Sequence, residues 1–217
     1  MIDTEEKTEF KFSELSDSAK QAARDKYLSG EPFDYKWWDF TYEDAVRMGA
    51  LMGINITSTH HASSHKNHPG YDTADISFSG FCSQGDGASF EGNYWHVPDA
   101  LQKINSECND KELIRIAEAL TLLQITRRIK GFEPFSATIR ARGRHCHSGN
   151  MSVTIEYSSE DDLDPIDEIE GEVAKLMRDF ADWIYERLEA EYDYLCSDEY
   201  VDERLEDDLF DEDGVII

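Results

Sequence analysis

The sequence predicts an α+β domain in which an antiparallel sheet of about four or five strands is covered by helices. Apolar and polar residues alternate over 136–157 on both sides of a polar turn at 147–150, which is the pattern of a β-hairpin. Apolar residues recur at helical spacing over 166–188 and predict a long helix that continues to about Leu195. Hydrophobic residues make up 40% of the 217 residues, so the chain can form a substantial core.

Capping residues mark two helices near the start of the chain. The first is expected from Asp17 to Leu28, because Ser16 suits its N-cap. The second is expected at 42–52, where Thr41 and Asp44 resemble a capping box. Both helices are followed by a glycine, which commonly ends a helix.

The middle of the chain alternates between strand and helix patterns. Period-two alternation predicts strands at 54–59, 73–81 and 88–94, and a polar loop is expected at 60–71. Two further helices are expected at 98–107 and 111–130.

The last third of the chain is predicted to be helical and strongly acidic. Residues 156–217 contain 25 acidic and 4 basic residues, a net charge of −21, against −5 for residues 1–155. Asp164 and Pro165 suit the N-cap and first position of the long helix, and a short helix is expected from Asp198 to Leu209. We therefore expect an α+β body at 1–160 and an acidic helical region at 161–217, packed together as one domain.

The net charge restricts the classes of partner. Asp and Glu number 47 against 21 Lys and Arg, which gives −26 and disfavours direct contact with nucleic acid or an anionic membrane. No stretch is apolar enough to span a membrane, and the first six residues do not look like a secretion signal. The four cysteines have no paired spacing and are expected to be reduced thiols in the cytosol.

One face of the long helix is the leading candidate for function. At 100° per residue, seven carboxylates share the face opposite the apolar stripe: Glu168, Glu172, Asp179, Asp182, Glu186, Glu189 and Asp193. The row spans about 37 Å, close to the roughly 34 Å of one turn of duplex DNA. It could imitate a phosphate backbone and bind a basic, nucleic-acid-binding protein. The alternative is an ordinary solvated helix face.

Basic and histidine residues form two weaker candidates. Arg140, Arg142 and Arg144 share the polar face of one strand, where they could bind a phosphate or carboxylate; we favour internal pairing with the acidic segment 206–213. His145 and His147 lie two residues apart, and four histidines crowd the loop at 60–71. No third ligand has a recognisable spacing, so no metal site is predicted.

A glycine-rich turn follows the second predicted strand and consists of Ser83, Gln84, Gly85, Asp86 and Gly87. It lacks the GK[ST] ending of a phosphate-binding loop, so the physical expectation is a tight hairpin connection. The alternative function is a hydrolase or nucleotide-binding enzyme that uses this turn. Spacing favours no catalytic triad among Cys82, Asp86 and nearby histidines, so no catalytic residue and no cofactor are predicted.

The same turn lies within a run at 78–92, FSGFCSQGDGASFEG, that resembles the FSGF-x-SQGDGA-x-F-x-G signature of small phage and prophage proteins described as antitoxins of toxin–antitoxin stability systems. Residues 15–20, Tyr27, 37–38 and 42–44 are similar to the region that precedes this signature, so the resemblance covers roughly 10–95. It implies a phage or mobile-element origin and the cytoplasm of a bacterial host.

The combined hypothesis is a non-enzymatic, phage-type accessory protein. It would bind and neutralise a basic, nucleic-acid-binding partner, either as an inhibitor of host defence or as an antitoxin, through acid against base. The apolar stripe that ends in Trp183 and Ile184 packs either on the chain's own sheet or on a second copy in a homodimer.

Overall fold

The structure is a computed structural model that describes residues 8–30, 33, 36–62, 69–141, 146–156 and 166–217, with side chains of the last range described from Ile169 onward. The α+β class is confirmed. The described helices are α1 (Asp17–Ser29), α2 (Asp39–Met52), α3 (Ala100–Glu107), α4 (Lys111–Ile129), α5 (Ile166–Leu195) and α6 (Asp198–Leu205). The described strands are β1 (Phe10–Lys11), β2 (Ile54–Ile56), β3 (Ser58–His61), β4 (Tyr71–Ala74), β5 (Ile76–Phe78), β6 (Ala88–Phe90), β7 (Gly92–Tyr94), β8 (Ser136–Ala141), β9 (Met151–Glu156) and β10 (Leu209–Phe210). No helix among these is long and apolar enough to cross a membrane.

The chain forms two compact units. One consists of residues 1–38 with 189–217, and the other of residues 39–188. The division falls within α5, whose first 23 residues belong to the larger unit.

A four-stranded antiparallel sheet organises the larger unit, in the order β2–β7–β8–β9. The predicted hairpin is confirmed: β8 pairs with β9 from Ser136–Glu156 to Ala141–Met151. Alternation along both strands buries Ala137, Ile139, Val153 and Ile155 on one face, as the pattern predicted. Two separate ribbons, β3–β4 and β5–β6, complete the described strands of this unit.

Aromatic side chains join α5 to the strands. Val173, Met177, Phe180 and Ile184 of the predicted apolar stripe are fully buried. The ring of Phe180 meets Phe90 of β6 edge-on at 5.6 Å and stacks on Trp183 at 5.7 Å. The long helix is therefore a core element of the larger unit, and the stripe packs within its own chain.

The smaller unit has a separate core built from both ends of the described chain. Phe12, Leu15, Ala19 and Ala23 pack with Val201, Leu205 and Phe210. β1 pairs with β10, and α1 is tied to α6 by Arg24, which donates Nε and Nη2 to Asp202 at 2.6 and 2.7 Å. The predicted N-cap is confirmed, since Ala19 donates its N–H to Ser16 Oγ at 3.2 Å.

Three of the predicted strands are interrupted at one place each. Thr57, Asp75 and Glu91 separate the paired segments, and their backbones bond one another in a ring: Thr57 N to Glu91 O (2.9 Å), Asp75 N to Thr57 O (2.8 Å) and Glu91 N to Asp75 O (2.9 Å). Continuous strands at 54–59, 73–81 and 88–94 were therefore wrong predictions. Strand pairing is interrupted at Thr57, Asp75 and Glu91, which bond one another, so each of the three segments becomes two short strands.

Other boundaries also differ from expectation. The second helix begins at Asp39, which places Thr41 and Asp44 inside it, so the predicted capping box was wrong. The last short helix ends at Leu205 because the chain turns there into β10. His60 and His61 lie on β3 and not in a loop. Asp164 and Pro165 lie outside the described residues.

Candidate functional site

Several carboxylates of α5 in the larger unit are turned to solvent. Glu172, Asp182 and Glu186 are exposed, opposite the buried stripe of the same helix. Within the described parts of the chain, none of the three takes part in an ion pair or a side-chain hydrogen bond. The side chain of Glu168 lies outside the described residues.

Asp179 differs from its neighbours on the same face because it is internally neutralised. Its side chain is 18% exposed, and Oδ2 lies 2.8 Å from Lys175 Nζ and 2.5 Å from Arg115 Nη2. Burial acts to raise the pKa of Asp179, but the hydrogen bonds from Lys175 and Arg115 outweigh it and hold the pKa below its usual value. This carboxylate joins α5 to α4.

Asp110 makes a second connection between the two helices. Its Oδ1 accepts the N–H groups of Glu112 and Leu113 and caps α4, while Oδ2 accepts the indole Nε1–H of Trp183 at 2.9 Å. Burial opposes ionisation of Asp110, yet the hydrogen bonds from Trp183 and the two backbone N–H groups lower its pKa. Together with Arg115, Asp110 fixes α5 from 179 to 183 against α4.

The three cations of α5 do not interleave evenly with its carboxylates. Lys175 is paired with Asp179, Arg178 donates to the carbonyl oxygen of Met151 at 3.1 Å, and the Arg187 guanidinium lies 6.0 Å from the ring centre of Trp183. The exposed carboxylates at Glu172, Asp182 and Glu186 therefore keep a negative surface in the larger unit.

The smaller unit carries the rest of the predicted row. Asp193 is exposed and Glu189 is half-buried on the last turns of α5. Residues 189–217 contain 13 acidic residues and one basic residue. Asp198 and Asp202 are engaged with Arg24, at 3.2 and 2.6 Å, while Glu199 and Glu203 are exposed.

The glycine-rich turn connects β5 to β6, as predicted, and is closed by its own carboxylate. Asp86 Oδ2 accepts the N–H groups of Cys82 and Ser83 at 3.1 and 2.7 Å. Gly85 has φ +96°, a left-handed conformation that glycine adopts without strain. Backbone N–H groups that could bind a phosphate are thus occupied by Asp86. Ser83 and Gln84 are exposed at the tip.

The far end of the turn makes a close backbone contact. A Cβ at Gly87 would come within 2.7 Å of His147 Cβ, so the turn is held against the β8–β9 connection. Next to it, the ring of Phe81 packs on Phe78 at 5.8 Å and on Tyr185 at 5.4 Å, and Tyr185 donates to the carbonyl oxygen of Gly80 at 2.9 Å. The alternation pattern gave no indication that this turn rests on α5.

The remaining candidates from the sequence are only partly described. Arg140 Nη1 lies 3.6 Å from Glu91 Oε2, in the break between β6 and β7, so Arg140 has a counter-charge within its own unit. Pairing of the arginines with 206–213 stays a prediction. Arg142, Arg144 and His145 lie outside the described residues. His147 accepts the N–H of Gly149 at 3.0 Å, and His60 bonds Asp72 at 2.7 Å. In the described ranges no group of three or more His, Cys, Asp or Glu side chains is placed to hold a metal ion.

Sequence reasoning placed the acidic residues on one face but did not identify their supports. Arg115 and Asp110 were not singled out, because their contacts with α5 join residues 64 and 73 positions apart. A local signal existed only for Asp110, which precedes a predicted helix as an N-cap would.

The comparisons with known proteins bear on this arrangement. No curated protein and no solved structure matches the chain. A family model described as a domain of unknown function, DUF8835, matches residues 37–198. That range contains the glycine-rich turn, the sheet, and α5 with its exposed carboxylates. Because the match covers well over half of the 217 residues, the chain belongs to the DUF8835 family.

Proposed function

We propose that the protein is a non-enzymatic, phage-type accessory protein that binds and neutralises a basic, nucleic-acid-binding partner. The observation that carries this proposal is the exposure of Glu172, Asp182 and Glu186 without ion pairs among the described residues, on a helix held in place by Asp110 and Arg115. The resemblance of 78–92 to phage and prophage proteins supports the origin and a site of action in a bacterial cytoplasm. The proposal covers both neutralisation of a toxin and inhibition of a host defence complex, because either role would use the same acidic surface.

The rigid support matters for affinity. A carboxylate on a mobile helix would lose rotational freedom on binding, and that cost would reduce the affinity. The α4 contacts fix the backbone of the segment that carries Asp182 and Glu186 before any partner arrives. Asp179 contributes little to this surface, since Lys175 and Arg115 already neutralise it.

The spacing of the exposed carboxylates defines what kind of imitation is possible. Glu172 and Asp182 are separated by about 15 Å along the helix and Asp182 and Glu186 by about 6 Å, at 1.5 Å per residue. Duplex DNA carries one charge per about 1.7 Å of axis. The row is sparser than a phosphate backbone, so we propose that it matches selected cationic side chains of the partner and that long-range attraction speeds association.

The experiment is an affinity capture from bacterial lysate with a salt-gradient elution. The test variant combines Glu172→Gln, Asp182→Asn and Glu186→Gln. The control variant combines Glu43→Gln, Glu118→Gln and Glu133→Gln, which removes three exposed carboxylates elsewhere in the same unit and changes the net charge equally. The captured basic protein is identified by mass spectrometry, and its affinity for each variant is then measured.

The proposal expects the test variant to bind the captured partner at least about tenfold more weakly, equivalent to about 1.4 kcal/mol, and the control variant to bind normally. Equal loss in both variants would mean that only net charge matters, and unchanged binding in the test variant would mean that the α5 face is not the contact. Either result overturns the proposal.

A further inference from the structure

The outward face of α4 exposes an apolar stripe. Leu122, Ile125 and Ile129 are 62%, 47% and 81% exposed, and their spacing of three and four residues places them on one side of the helix. The opposite side of α4 buries Leu113, Ile116 and Leu120. A helix that is apolar on both sides is typical of one that is covered on both sides. We call Leu122, Ile125 and Ile129 the outer stripe.

The surroundings of the outer stripe are basic in a very acidic chain. Of the five basic residues at 111–130, Arg127 is buried and Arg115 is paired with Glu112 and Asp179, which leaves Lys111, Arg128 and Lys130 exposed against one exposed carboxylate, Glu118. Arg128 is exposed beside the stripe, one residue before Ile129. The surface that fits such a stripe is apolar with an acidic border.

The segment 206–217 of the smaller unit has this character. Asp211 donates its N–H to Val215 O and Ile217 donates to Leu209 O, each at 2.9 Å, which folds the segment back on itself. Phe210 is fully buried, so alternation turns the side chains of Leu209, Val215 and Ile217 to the other face, where they are 42%, 54% and 51% exposed. We call these three residues the hairpin patch.

Acidic residues border the hairpin patch on two sides. Glu206 and Asp207 precede it, and Glu212 and Asp213 lie in the turn between Phe210 and Val215; all four are exposed. The side chain of Asp211 is occupied, since Oδ1 accepts the N–H groups of Asp213 and Val215. The patch is therefore an apolar surface with a negative border, held in a fixed shape by backbone hydrogen bonds.

We propose that two copies of the chain form a dimer in which the hairpin patch of each copy packs on the outer stripe of the other. Both surfaces are apolar, and their borders carry opposite charges. Each copy carries both surfaces, so each can receive the hairpin patch of the other on its own outer stripe. This proposal concerns residues apart from Glu172, Asp182 and Glu186 and goes beyond the function proposed above.

The dimer is tested by sedimentation equilibrium on the full chain. The unmodified protein is expected to pass from 24.9 kDa to twice that mass as its concentration rises. The stripe variant, Ile125→Lys with Ile129→Lys, and the patch variant, Leu209→Lys with Ile217→Lys, are each expected to dissociate the dimer at least about tenfold more readily. These side chains are exposed, so the variants should fold, which circular dichroism checks. Phe40→Lys changes a side chain that is 83% exposed and belongs to neither surface, and it should leave the dimer unchanged.

A cross-linking measurement identifies the contact itself. Carbodiimide treatment of a mixture of isotope-labelled and unlabelled protein should join Lys111 or Lys130 of one copy to an acidic residue of 206–213 in the other. A monomer at every concentration, a patch variant that dimerises normally, or a dimer without these mixed-isotope cross-links would each overturn the proposal. Dimers that survive in the patch variant would point to contact between two α4 helices instead.

Discussion

The indole N–H of Trp183 donates to Asp110 Oδ2 across 2.9 Å, although 73 residues separate them in the chain. The other oxygen of the same carboxylate caps α4 by accepting two backbone N–H groups. One side chain thus caps the start of α4 and holds α5 against it. The hydrogen bond between Asp110 and Trp183 matters for the proposed surface because Asp182, one of its exposed carboxylates, is next to Trp183 on α5.

The first prediction is that Asp110→Ala lowers the free energy of unfolding by about 1–3 kcal/mol, since it removes an N-cap and leaves the Trp183 indole without its acceptor. Urea unfolding followed by tryptophan fluorescence measures the loss. Asp99 provides the matched control. It precedes α3 but makes no capping hydrogen bond, and its exposed pair with Lys103 at 3.0 Å contributes little. Asp99→Ala should therefore cost less than about 1 kcal/mol, and an equal cost for both variants would contradict the assignment.

The sequence predicted correctly those elements that depend on residues close together in the chain, such as a helix cap or a hairpin. Ser16 caps α1 as expected, and alternation over 136–157 gave the correct hairpin and buried face. The breaks at Thr57, Asp75 and Glu91 had no local signal, because each depends on backbone bonds to the other two segments. Sequence reasoning therefore located these three segments but joined the two short strands of each into one, and it missed β1 and β10.

The candidate surface shows the same limit. Helical periodicity placed Asp179, Asp182 and Glu186 on one face of α5. It gave no indication of which carboxylate would form an ion pair within the chain. Arg115 reaches Asp179 from 64 residues away and removes it from the exposed row. Likewise, the charge change near residue 160 gave no indication that residues 189–217 belong to a unit with residues 1–38. Contacts between residues far apart in the sequence determine both the pairing of Asp179 and the unit to which residues 189–217 belong.

The second prediction concerns the loss of stability at acid pH. The pKa of Asp179 is lowered in the folded state, so its contribution to stability is complete above the unfolded pKa of about 3.9 and is lost as the pH falls through the lower folded pKa. Removing this titration with Asp179→Asn should reduce stability at neutral pH and flatten the decline below about pH 4 relative to the unmodified protein. Urea unfolding across a pH series measures both effects. Asp182→Asn is the control, since Asp182 is exposed one helical turn away. A slope for Asp179→Asn that matches that of Asp182→Asn would refute the prediction.

The third prediction concerns a buried amide that the sequence did not single out. Gln124 donates Nε2–H to Phe135 O at 2.9 Å and accepts the Phe135 N–H at Oε1 at 3.2 Å, which holds the chain where it enters β8. Its amide also lies 3.4 Å from the hydroxyl of Tyr94, whose pKa burial raises to about 12. Gln124→Leu keeps the volume but leaves both backbone groups unpaired, so it should cost about 2–3 kcal/mol. Thermal and urea unfolding measure this cost. Gln102→Leu, on the exposed side of α3, should change stability by no more than about 0.5 kcal/mol, and a comparable loss there would show that the buried hydrogen bonds are not the cause.

The last prediction separates a structural role of the glycine-rich turn from a ligand-binding one. Asp86→Ala should expose the N–H groups of Cys82 and Ser83, lower stability by about 1–2 kcal/mol and accelerate amide hydrogen exchange at 82–87. Asp86→Asn keeps one carbonyl acceptor and should retain part of that protection. Gln84 is exposed and makes no side-chain hydrogen bond within the described residues, so Gln84→Ala should change neither stability nor exchange. If the turn instead holds a phosphate-bearing ligand, inorganic phosphate should slow exchange at 82–87 in the unmodified protein and fail to do so in Gln84→Ala. Since Asp86 already occupies these N–H groups, we expect no effect of phosphate in either protein.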